Sequence, residues 1–181
     1  MALSLKTFQT LFGVAAVVYS CAPFKIYKLY LPRKTSEMLL DDVHNDFDDL
    51  QESHHKQITV FIADFQNYFQ GHPVAPPWEW LEWQKLTPLQ IETLRKTAEI
   101  PFGDVVTYKA LATKIGRPRA TRFVGSCMAR NPFPIIIPCH RVIRSDGTLG
   151  NFGGGVHLKE KLLALEQCQS TKDHCNETIS N

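Results

Sequence analysis

The 181 residues, 44% hydrophobic and 21% charged with a net charge of +2, suffice for one full-size packed domain or two small ones and exclude a disordered chain or a fibre. The five cysteines, at 21, 127, 139, 168 and 175, are odd in number and contain no CxxC pair. That argues against a disulfide framework and a cysteine zinc site, and it points to a reducing cytosol. Acids outnumber cations up to residue 81 and cations outnumber acids from 82 to 166, so the second half suits a polyanionic partner.

At the start of the chain, Lys6, an apolar run and Cys21 have the outline of a lipoprotein export signal. Thr7, Gln9 and Thr10 interrupt the run, and residues 25–31 alternate with period two after Ala22-Pro23, so a β-hairpin is the expected structure. The run is also shorter than the roughly 20 apolar residues a spanning helix needs, and no membrane association is expected. Residues 41–55, with Asp41, Asp42, Asp46, Asp48 and Asp49, read as a solvated helix or loop; they lack the glycine and closing glutamate of a calcium loop. Ile58, Ile62, Phe65 and Phe69 recur at helical spacing and predict an amphipathic helix that stops at Gly71. The proline-rich stretch 72–77 then sets a domain boundary between 77 and 78, ahead of Trp78, Trp80 and Trp83.

Thr87, Pro88 and Gln90 mark a helix start, with Leu86 and Ile91 placed to staple it. After a turn at 101–104, Thr107 should cap a helix running to Ile115 and ending at Gly116. A second helix is expected from about Pro118 to Arg130, stopped by Asn131-Pro132. Two short helices joined by a glycine-containing turn form a helix-turn-helix pattern. On the second, Arg119, Arg122 and Ser126 make an outward stripe, while Ala120, Val124 and Met128 make an inward one. Gly125, Ser126 and Cys127 are small residues that weaken a helix but let another surface come close.

Ile135, Ile136 and Ile137 read as a buried strand that Pro138 ends, so Cys139 should emerge with His140 at its side. Cys139 is then either a small buried hydrophobe or a nucleophile. In the final helix, Glu166 shares the apolar stripe of Leu158 and Leu162, and an acid on a core-facing stripe calls for a partner. A cysteine hydrolase fits poorly, because its cysteine and histidine usually stand far apart in sequence. A Cys-x5-Arg phosphate loop fails because Arg144 comes one position too early. A DNA-binding module without catalysis, either a helix-turn-helix regulator or a damage sensor that binds lesions without repair, stays open.

Taken together, residues 86–166 resemble the methylated-DNA-protein-cysteine methyltransferases, also called O6-alkylguanine-DNA alkyltransferases. The resemblance rests on Thr87-Pro88, Ile100-Pro-Phe-Gly103, Thr107-Tyr108, Arg122-Phe-Val-Gly125, Asn131-Pro132, Pro138-Cys-His-Arg-Val142, Gly150-Asn-Phe-Gly-Gly154 and residues 159–166. It implies an α/β protein with an N-terminal ribonuclease-H-like α/β domain (1–77), a C-terminal winged-helix-like domain with the helix-turn-helix (78–166) and a disordered tail (167–181). The implied activity is irreversible, single-turnover transfer of the alkyl group from O6-alkylguanine in double-stranded DNA to Cys139, with O4-alkylthymine left open as a further donor. The implied actor is a cytoplasmic monomer without cofactor or metal.

The same resemblance gives the catalytic parts to Cys139, His140, Glu166 and Tyr108. His140 deprotonates the thiol through a water and is oriented by Glu166, and Tyr108 serves the departing guanine. Arg122 would replace the flipped nucleotide in the stack, with Arg119, Ser126 and Thr107 contacting DNA. Val142, Gly153, Phe152 and Asn131 would shape or read the guanine pocket. Two positions depart from the family pattern: Phe123, where alanine is usual, and Phe152, where tyrosine is frequent.

Overall fold

The computed structural model describes residues 2–179, with side chains through Cys168. The side chains of Cys175 and of the Asn176–Thr178 glycosylation sequon lie outside the described residues. The chain is mixed α/β and divides into two compact units, 1–87 with 132–136, and 88–131 with 137–181.

In the N-terminal unit, β1 (Ser4–Thr10), β2 (Gly13–Cys21) and β3 (Phe24–Arg33) form an antiparallel meander in the order β1-β2-β3. The expected hairpin is therefore present. Gly13 is required at its turn, because φ is +126° and a Cβ there would stand 2.2 Å from the Arg33 carbonyl oxygen. The central strand is covered on both sides, and its period-two alternation sorts the core. Val14, Ala16 and Val18 pack with Leu39 and Val43 of α1 (Ser36–His44). On α2 (Lys56–Tyr68), Phe65 meets Phe8 of β1 edge-to-face at 5.4 Å. The acidic stretch contributes the end of α1, which starts earlier than the charges suggest because Thr35 caps it by accepting from the Met38 N–H.

The unit boundary falls after Thr87, ten residues beyond the one expected from the proline-rich stretch. The reason lies in the packing of the residues that follow it. Leu81 bridges to Ile26, Trp80 packs edge-on against Phe24, and Trp83 packs against Phe133. The prolines 72–77 are thus a connection within the unit.

The C-terminal unit comprises α3 (Pro88–Ala98), β4 (Val106–Thr107), α4 (Tyr108–Lys114), α5 (Thr121–Ala129), β5 (Val142–Ile143) and α6 (Val156–Ile179). β4 and β5 pair in parallel. As expected, Thr107 caps α4, accepting from the Ala110 N–H at 3.1 Å, and Gly116 takes the left-handed conformation just past the helix end (φ +68°). α5 begins later than expected, so Arg119 sits in the turn before it rather than on the helix. The isoleucine run is buried but is not a strand. Ile135 and Ile136 form a turn, with Ile135 at φ +73°, because prolines at 132, 134 and 138 withhold the N–H groups a ladder needs. Finally, α6 runs on into the segment read as a disordered tail, there being no proline or glycine from Leu158 to Ile179 to stop it. No helix among the described residues is long and apolar enough to cross a membrane.

Candidate active site

Pro138 ends the isoleucine turn, and the chain then coils as a short 3-10 turn, Cys139–Arg141, before entering β5. This turn lies inside the unit. Cys139 is 4% exposed, His140 0% and Arg141 7%. Burying a histidine and an arginine side by side requires partners, and α6 supplies one. Glu166, one turn beyond Leu162 and two beyond Leu158, is carried into the interior by their apolar stripe.

The Glu166 carboxylate accepts from four donors. His140 Nε2 lies 2.7 Å from Oε1, Arg141 Nε donates to Oε2 at 2.8 Å and Nη2 to Oε1 at 3.0 Å, and the Gly103 N–H donates to Oε2 at 3.0 Å. Burial works against ionising Glu166, but the bonds from His140 and Arg141 prevail and hold its pKa at about 2. Arg141 also donates to the Ile100 carbonyl at 2.7 Å and stacks over the Phe102 ring, so the 101–104 turn is fastened to the site. With Nε2–H committed to an ionised carboxylate, the buried Nδ1 is the basic nitrogen of the ring. Burial pushes the His140 pKa down, against the pull of Glu166. Burial likewise pushes the Cys139 thiol up, opposed by the Asn131 amide, by Lys159 and by the backbone N–H groups of Cys139 and His140.

Asn131, immediately after α5, donates from Nδ2 to the Ile137 carbonyl at 2.8 Å and so links the second helix of the helix-turn-helix to the cysteine turn. Tyr108, the first residue of α4, is half-buried. Burial and the nearby Cys139 both raise its pKa. Its hydroxyl lies against Gly150, where an added Cβ would come within 3.0 Å. Phe152 meets the His140 ring edge-on at 6.4 Å. Gly153 is exposed with open space where a Cβ would be. Val142 is more committed than the sequence suggests: its N–H donates to Cys139 and its carbonyl accepts from Lys159. Only the second lone pair of that carbonyl remains for a ligand.

The structure therefore gathers Cys139, His140, Glu166, Tyr108, Asn131, Val142 and Phe152 around one buried turn. Arg122 and Ser126 stand apart from it on the exposed face of α5, Arg119 is exposed in the preceding turn, and Thr107 is occupied as a helix cap. Gly125, beside that face, has open space where a Cβ would stand, with nothing within 4 Å. Sequence reasoning missed Arg141, Lys159 and Gly103. Arg141 could have been found as a cation next to the cysteine and histidine, and Lys159 as a cation one position past Leu158 in an apolar stripe; the backbone donor at Gly103 leaves no sequence signal.

Residues 88–168 match the model of the 6-O-methylguanine DNA methyltransferase DNA binding domain. The likeness to the O6-methylguanine DNA methyltransferase family thus lies in this C-terminal unit. The methylated-DNA-protein-cysteine methyltransferase of Methanosarcina barkeri is 51% identical over 81 residues, which are 45% of this chain and 51% of that protein. The rat protein of the same name is 57% identical over 68 residues, 37% of this chain and 32% of its own. The chain thus spans about half or less of the length of these curated relatives. The structural likeness is wider. Mycobacterium tuberculosis O6-methylguanine methyltransferase superposes with a TM-score of 0.69 at 26% identity, covering 92% of this chain and 94% of its own. The structure of that organism's OGT in complex with DNA gives 0.71 at the same identity and coverage.

Proposed function

We propose that this protein repairs DNA by moving the alkyl group of O6-alkylguanine onto its own Cys139, once per molecule. The observation that carries this reading is a buried cysteine adjacent to a histidine whose far nitrogen is held by an ionised, four-donor carboxylate. In this reading the Cys139 proton passes to His140 Nδ1 through a water. Sγ attacks the alkyl carbon, the carbon–O6 bond breaks, and the electron pair stays with the guanine. Tyr108 supplies the proton that the departing base needs, balanced by the one His140 has taken. The product is a thioether, a poor leaving group, so no second step regenerates the thiol.

An alkyl carbon inside a duplex is out of reach of a buried thiol, so the nucleotide must leave the stack. Arg122, exposed at the start of α5, fills the vacated space, with Gly125 and Ser126 permitting close approach to the minor groove. Arg119 and Thr107 lie near the backbone phosphates. Val142, Gly153, Phe152 and Asn131 line the base pocket. The Mycobacterium relative described in complex with DNA supports DNA as partner. The free thiols Cys21, Cys127 and Cys139 suit a reducing compartment such as the cytosol, where the protein acts as a monomer.

The test is stoichiometric. Mixed with excess duplex containing O6-methylguanine, the protein should stop after one equivalent, carry one added methyl on the Cys139 peptide and show no transfer as Cys139→Ala. Turnover beyond one equivalent, or a label on Cys127 or Cys168, overturns the mechanism. Arg122→Ala should lose far more activity on duplex lesions than on free O6-benzylguanine; equal losses remove Arg122 from the flipping role.

A further inference from the structure

Lys159 stands on α6 with its whole side chain buried, 0% exposed, and among the described residues no other lysine is buried. A buried ammonium without a carboxylate partner is costly, and it is retained only where other groups compensate it. The compensation here is partial. Nζ donates to the carbonyl oxygens of Val142, at 2.6 Å, and of Leu149, and it lies 5.9 Å from the centre of the Tyr108 ring. Two carbonyls and a ring edge the cation with partial negative charge and leave its full charge unbalanced. The ionisable groups that face it are Cys139 and His140 from the 3-10 turn, Tyr108 from α4 and Arg144 from the end of β5. Of these, Arg144 repels it, as a protonated His140 would, and Tyr108 is neutral, so Cys139 is the group whose anion would balance it.

We propose that Lys159 is the buried counter-charge of Cys139, a positioning residue that favours the thiolate and holds the Val142 carbonyl at the edge of the base pocket. It links β5, which follows the nucleophile, to the Leu149 end of the 150–155 loop, which carries Phe152 and Gly153. One side chain thereby couples thiol ionisation to the shape of the pocket. Burial lowers the Lys159 pKa to about 8, with Cys139 acting to raise it and Arg144 to lower it; Lys159 in turn acts to lower that of Cys139. Around Cys139, Asn131 acts in the same direction as Lys159, while burial opposes both. This inference deepens the transfer reading and rests on it only for the identity of the substrate.

The experiment follows the pH dependence of Cys139 alkylation by iodoacetamide, a probe that needs neither DNA nor guanine, with Cys21, Cys127 and Cys168 distinguished by peptide mass. Lys159→Gln retains donors for the carbonyls without the charge, and Lys159→Met removes both. In both variants the reactivity curve should move to higher pH, with about tenfold slower labelling at neutral pH and the alkaline plateau preserved. A uniform drop at every pH, or an unshifted curve, overturns the electrostatic role and leaves Lys159 a structural tie. Should either variant fail to fold, the linkage is read from the other side, because coupling is reciprocal. By NMR, the Lys159 side chain should titrate at lower pH in Cys139→Ser than in the parent, and an unchanged midpoint refutes the proposal. If the parent protein transfers no alkyl group from DNA yet these shifts appear, the repair reading falls and the counter-charge stands.

Discussion

Both units carry ion pairs at the surface, but among the described residues only the C-terminal unit also buries them. In the N-terminal unit the ion pairs sit at the rim: Lys28 with Asp46 and Arg33 with Asp42, every side chain roughly a third exposed, around a core of Val, Phe and Tyr. The C-terminal unit has exposed pairs as well, Lys96 with Glu99 and His157 with Glu160, but it also holds a set inside, with Glu166 and His140 at 1% and 0% side-chain exposure and Arg141 at 9%. An exposed pair is screened by water and contributes little, whereas a buried one carries a large desolvation penalty that is offset only while every partner is present. A fold seeking stability alone would replace the interior pairs with hydrocarbon. Their retention in one unit marks where groups must be held in a defined protonation state.

The sharpest way to break this comparison is to remove one interior partner. Arg141→Met takes two of the four donors from Glu166 and leaves a buried carboxylate poorly compensated, which should cost about 3–5 kcal/mol in urea unfolding. The double change Arg141→Met with Glu166→Met should recover part of that loss, since a hydrocarbon pair leaves no stranded charge. A loss under 1 kcal/mol for the single change would mean that interior and rim pairs behave alike.

A cut of similar size in the other unit should have a different character. Phe65 is fully buried between α2 and β1, and Phe65→Ala should cost about 3–5 kcal/mol through the cavity it leaves. The rate of alkyl transfer per folded molecule should stay at the parental value, measured by quenching single-turnover reactions at a temperature where the variant is folded. A changed rate would show that the N-terminal core tunes the chemistry.

Acid should find the interior network first. Glu166 titrates at about 2 in the folded protein against an ordinary 4.5, so its contribution is complete above pH 4.5 and lost as the pH falls from there toward 2. That contribution is on the order of 3 kcal/mol. His140, held neutral by burial below its ordinary 6.5, acts in the same sense, because the unfolded chain takes up a proton below 6.5 that the folded one refuses. Stability should therefore decline from about pH 6.5 downward. His140→Ala should flatten the upper part of that decline and Glu166→Gln the lower part, as read by denaturant titrations across the range.

How much of this was legible in the sequence depended on how local the signal was. The hairpin, the α2 aromatics, the Thr107 cap and the placement of Glu166 on an apolar stripe follow from spacing and local hydrogen bonding, and all are present. The isoleucine turn was misread because β-branched residues usually signal a strand, and three flanking prolines overrode that preference. The boundary near Thr87 was misplaced because prolines mark connections whether or not a unit ends there. Lys159 and Arg141 escaped notice for a common reason: a lysine or arginine in a sequence is normally solvated, and only the fold reveals that these two point inward.

The smallest effect belongs to the rim. Asp46 accepts from Lys28 and, at 2.8 Å, from the Tyr30 hydroxyl, and it is 40% exposed. Burial works against its ionisation, yet the bonds from Lys28 and Tyr30 still hold its carboxyl below the usual range. Asp46→Asn removes the charge but leaves an amide oxygen able to accept from Tyr30, so the hydrogen bond survives while the screened ion pair does not. The cost should lie at about 0–1 kcal/mol and should shrink further in high salt, where the parent pair is itself screened. Urea unfolding of parent and variant at low and high ionic strength measures it. A loss matching that of Arg141→Met, insensitive to salt, would show that exposure is not what separates the two kinds of pair.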